Sequence, residues 1–94
     1  MKRGEILYKA AEIVTGKDAA HGEVEDSFGK IAQMWSAYLG AQVEPKDVAV
    51  MMILLKTVRI SSGHQVDDNW TDIAGYAACG GELESAAAEE DKEV

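Results

Sequence analysis

Residues 45–62, PKDVAVMMILLKTVRISS, constrain this chain more than any other stretch. Eight consecutive apolar residues, Val48 to Leu55, are followed by Lys56 and Arg59, one helical turn apart. A segment of about 18 residues is too long for an ordinary strand and has the usual length of a helix. Pro45 suits a first helical position, where its missing N–H leaves nothing unpaired, and Gly63 suits the stop. A helix apolar on every side has to be covered on every side, by its own bundle or by another subunit. The expected architecture is all-α: an up-down four-helix bundle completed by homo-oligomerisation.

The flanking segments fit that reading. Ile6, Leu7, Ala10, Ile13 and Val14 recur at helical spacing over Arg3–Val14, with Thr15-Gly16 as the end. Residues 16–23 form a polar loop, the longest connection expected. A second helix, Val24–Leu39, carries an apolar stripe of Phe28, Ile31, Ala32, Trp35, Tyr38 and Leu39 and closes at Gly40. Its Gly29 costs about 1 kcal/mol against Ala, which suggests a close helix approach. The link 41–44 is short, so helices two and three are expected as antiparallel neighbours. After the loop 63–66, Asp67 or Asp68 caps a fourth helix with Trp70, Ile73, Ala74, Ala77 and Ala78 on its apolar side. Gly80-Gly81 reads as a break or cap. The chain therefore divides into a helical domain, 1–81, and an acidic, flexible C-terminal tail, 82–94.

Composition narrows the function classes. At 47% hydrophobic with one proline, the chain is globular and favours helix. The net charge is −8, of which residues 82–94 carry −5, leaving only −3 on the body. An acidic body with no basic stripe argues against duplex nucleic acid. The longest apolar run is far short of a membrane span, Met1–Thr15 lacks a secretory pattern, and the single Cys79 excludes an internal disulfide. A soluble, cytoplasmic protein is expected.

Four charged residues carry the chemistry. Asp68 and Asp72 share one helical face, extended by Tyr76. Two like charges on adjacent turns repel, so a cation is expected nearby: Mg²⁺, which prefers carboxylate oxygens, or Lys56 and Arg59. Arg59 offers a planar fork for phosphate and Lys56 a mobile point charge. Their stems would lie along the apolar run, with the heads at the rim. The alternative is a purely internal charge cluster. Trp70, beside Asn69, could stack a ring or simply pack, and Trp35 has core spacing. His21 and His64 lack ligand spacing, so zinc is not expected.

Three blocks in order, HGEVEDSFGKIAQMWSAYLG, PxDVAxxMxLLKxxR and DxWxDIAGYAA, resemble a small phage and prophage family of unknown function. The likeness runs from about Ile6 to Gly81. That family in turn is similar to the phage nucleotide modification associated domain, in which a D-Y-G motif precedes the second helix; here His21 stands in the tyrosine's place. A more distant likeness is to the MazG-like all-α nucleoside triphosphate pyrophosphohydrolases, which hold magnesium with acid pairs on two helices. This chain offers Glu23, Glu25 and Asp26 before helix two, and Asp68 and Asp72 at helix four, without a strict E-x-x-E.

The charged cluster and these resemblances together lead to the expectation of a module that binds a nucleotide or nucleotide-derived phosphorylated molecule and sequesters a host nucleotide signal in the host cytoplasm, through Lys56, Arg59, Asp68, Asn69, Trp70, Asp72 and Tyr76. A Mg²⁺-dependent pyrophosphohydrolase using Glu25, Asp26, Asp68 and Asp72 is the enzymatic alternative. A structural or regulatory phage homo-oligomer is the third.

Overall fold

The computed structural model describes residues 1–16, 24–63 and 67–92, with the side chains of residues 24, 25, 67 and 90–92 outside that description. Residues 17–23 of the expected loop 16–23, the residues 64–66, His21, His64 and Glu23 therefore lie outside the described residues. Among the described residues there are four helices and no strand: α1 Arg3–Val14, α2 Val24–Leu39, α3 Pro45–Ser61 and α4 Asp67–Lys92.

Local chemistry sets the boundaries. The Thr15 amide and hydroxyl both donate to the Ala11 carbonyl, at 3.0 and 2.6 Å, and close α1. Gly40 and Gly63 follow α2 and α3 with φ of 67° and 84°, a left-handed conformation that glycine adopts without steric cost. The Ser36 hydroxyl donates to the Ala32 carbonyl at 2.7 Å and accepts the Val43 amide at 2.8 Å. That pair folds the link between α2 and α3 back on itself. Pro45 opens α3, and the Glu44 amide donates to the Asp47 carboxylate at 2.9 Å, satisfying an N-terminal donor that the helix cannot.

α3 and α4 form the centre. Lys46 pairs with Glu84, Lys56 with Asp72 and Arg59 with Asn69, so each step forward along α3 is a step backward along α4. The two helices are antiparallel neighbours. α4 also carries α1 on another side. Lys9 pairs with Asp68, and a methyl at Gly75 would lie 3.3 Å from Val14 Cγ1. Both partners advance together, so α1 runs parallel to α4. Strict up-down alternation would make that pair antiparallel; the observed order of directions is different. α2 packs on α3 and touches α4 through Phe28 and Tyr76, whose ring centroids are 6.4 Å apart.

Two glycine expectations are corrected. Among the described residues nothing lies within 4 Å of a methyl built at Gly29, so that glycine marks no close approach. Gly80 does: its methyl would stand 3.1 Å from Ala49 Cβ. For the same reason Gly80-Gly81 is not a break. α4 runs on to Lys92 because Gly80 lets it sit close against α3, and Leu83, one turn later on the same side, is buried. Residues 82–92 are therefore part of α4.

The core is narrow. Ala10, Ala32, Val48, Ala49 and Leu83 are the buried apolar residues among those described. Tyr38, expected on the core stripe of α2, is 89% exposed, and Leu7, Ile13 and Leu39 are exposed as well. On α3, Val50, Met51, Leu54, Leu55 and Val58 remain exposed. The described residues cover one side of that helix.

Candidate functional site

The end of the α3–α4 hairpin gathers most of the expected residues. Lys56 sits at the close of the apolar run, so its stem lies on α3 while its ammonium reaches Asp72 at 3.1 Å. Both side chains are mostly shielded, at 19% and 32% exposure, which places this pair above the usual weak surface bridge. Asp68 is more open and meets Lys9 of α1 at 3.6 Å. The two acids that repel along one face of α4 are thus each given a separate cation from a different helix. That arrangement answers the repulsion without a metal between them.

Arg59 takes neither carboxylate. Its Nε donates to Asn69 Oδ1 at 3.2 Å. Asn69 is 1% exposed and Arg59 itself is exposed. A buried amide therefore orients an exposed guanidinium, whose other N–H donors are not consumed by this bond. Trp70, next in the chain, points outward at 57% exposure. Tyr76 turns the other way, against Phe28 of α2. Trp35 is half-buried.

The structure brings Lys56, Arg59, Asp68, Asn69, Trp70 and Asp72 to one end of the molecule. Asp26 is exposed on α2, and the Glu25 side chain is outside the described residues. Among the described residues no three His, Cys, Asp or Glu side chains gather as a metal-binding group. Thr71 is buried on α4 beside this cluster. Cys79 is half-buried; burial, with a smaller contribution from the Glu82 charge, pushes its thiol pKa up. A thiol so disposed is a poor nucleophile.

Lys9 was not among the expected site residues. In sequence it belongs to the wet side of α1, and nothing local signals that α1 returns alongside the start of α4.

A family described as a domain of unknown function, DUF6378, matches residues 5–84. The chain belongs to this family. Two curated relatives from phages are similar to it. The Gene 55 protein of Mycobacterium phage L5 is 43% identical over 89 residues, covering 93% of this chain and 55% of that protein. The Gene 55 protein of Mycobacterium phage D29 is 36% identical over 75 residues, covering 79% and 50%. The chain thus spans about half the length of the curated relatives it matches. No solved structure matches it. The small phage family inferred from the three sequence blocks is the relationship shown, and no helix among the described residues is long and apolar enough to cross a membrane.

Proposed function

We propose that this DUF6378 chain is a phage-type binding module that holds a nucleotide, or a phosphorylated molecule derived from one, at the α3–α4 end, and acts in the host cytoplasm. The observation that supports this reading is Arg59: its Nε is held by the buried Asn69 amide while the residue as a whole is exposed. A pre-oriented fork is what bidentate phosphate recognition uses. Exposed Trp70 supplies an apolar ring face for a base. Lys56 adds positive potential, tempered by Asp72.

Isothermal titration with nucleoside phosphates and cyclic dinucleotides, with and without Mg²⁺, tests the reading. Binding by the wild type that weakens at least tenfold in Arg59→Lys, which keeps the charge and loses the fork, is the expected result. Absence of heat with every ligand would sink it.

A second reading, compatible with the first, is self-association. It is supported by the apolar residues of α3 that the described residues leave exposed, since exposed apolar surface marks interaction sites. In this reading a further copy completes the bundle.

A further inference from the structure

α1 is held to the rest of the fold by a narrow contact. Among the described residues it packs on α4 and makes no comparable contact with α2 or α3. Ile6, Ala10 and Val14 fall on one stripe at four-residue spacing. Ala10 is buried, Ile6 is half-buried and Val14 lies against Gly75. Leu7, Tyr8 and Ile13 are all exposed. A 12-residue helix is marginal in water without packing, and few buried apolar contacts mean a small free energy of local opening. α3 and α4, by contrast, are tied from the Lys46–Glu84 pair to the Arg59–Asn69 bond, with α2 packed on α3.

Lys9 of α1 also reaches the candidate site. Its ammonium stands 3.6 Å from the Asp68 carboxylate, and one turn along α4 Asp72 holds Lys56 at 3.1 Å. With α1 docked, each acid has its own cation. With α1 away, Asp68 keeps its charge and loses Lys9, so the α3–α4 end is one positive charge poorer beside Arg59. An anion there meets a weaker attraction.

We propose that α1 is an arm that opens from α4 separately from the rest of the fold, and that Lys9 couples its closure to anion binding at the α3–α4 end. The coupling rests on the binding reading above. It is reciprocal: the factor by which closure raises the affinity for an anion is the factor by which a bound anion favours closure. Lys9 and Asp68 both meet solvent, at 49% and 69% side-chain exposure, so the factor is modest and falls with salt.

Residue-resolved hydrogen exchange of the 94-residue chain at low salt, with pyrophosphate as the probe anion, tests both halves. Without ligand, the amides of residues 8–14 are expected to exchange at least about a hundredfold faster than the slowest amides of α3 and α4. Saturating pyrophosphate is expected to slow residues 8–14 by about threefold or more. That slowing should vanish in Lys9→Met and return in Lys9→Arg, and the Kd for pyrophosphate should rise in Lys9→Met by the same factor. Exchange of residues 8–14 as slow as that of α3 and α4 would overturn the separate arm. A wild type that binds pyrophosphate without slowing residues 8–14, or a Lys9→Met variant that keeps the slowing, would overturn the coupling alone. A wild type that binds neither pyrophosphate nor ADP would overturn the binding reading and the coupling with it, while the ligand-free rates still decide the arm.

Discussion

Asn69 shows how a single side chain can be read two ways. Its type and place, beside Trp70 and between two acids, suggest a ligand contact. The structure buries it and gives its oxygen to Arg59. Replacing such a buried amide leaves a small void and strips partners from polar groups, at about 1–3 kcal/mol. Asn69→Ala is therefore expected to lower stability by that amount in urea unfolding, with an unchanged denaturant slope. Arg59→Ala, at an exposed position, should cost less than half as much. Equal losses would mean that the amide does not organise this corner. Charge pairing was only half legible at this scale. The need of Asp68 and Asp72 for cations follows from their spacing, and Lys56 was a candidate from its place after the apolar run. Lys9 was not, because its role depends on the direction of α1, which no local pattern encodes.

Among the elements, the helices themselves were readable. Pro45, Gly40 and Gly63 act through backbone geometry confined to their own residues, so the bounds of α2 and α3 follow from sequence almost to the residue. Glycines inside α4 were not readable, since a break and a close approach use the same residue. The distinction is testable. Gly81 has nothing within 4 Å of a built methyl, whereas Gly80 stands against Ala49. Gly81→Ala should stabilise the fold by about 0.5–1 kcal/mol through reduced backbone entropy. Gly80→Ala should lose that gain to crowding, leaving the two variants at least about 1 kcal/mol apart in thermal unfolding. Matching effects would mean that α3 and α4 are not in close approach there.

The whole molecule is longer than its size requires. The radius of gyration is 14.5 Å, against roughly 12 Å for a compact chain of this length. The cause is α4: its 26 residues extend about 39 Å at the ordinary helical rise. Such a shape buries little, and the apolar outer side of α3 is left over. If a second copy supplies the missing cover, stability is coupled to association by mass action. The melting temperature is then expected to rise by several degrees between about 1 and 100 µM protein, and to stay flat in Leu54→Asp. A wild-type melting point independent of concentration would remove self-association as a source of stability. That Val48 to Leu55 is an unbroken apolar run was legible from residues 45–62; that the described residues cover only one side of α3 was not, because coverage depends on how four helices are placed.

The parallel docking of α1 on α4 has a consequence for the order of events during synthesis. α1 leaves the ribosome with its partner surface on α4 still untranslated. Between Lys9 and Asp68 the ribosome must add nearly sixty residues, on the order of several seconds at about 5–20 residues per second. Until then the α1 segment has no α4 to lie against. Docking of α1 is therefore a late, not an early, event, and it is timed by the appearance of α4.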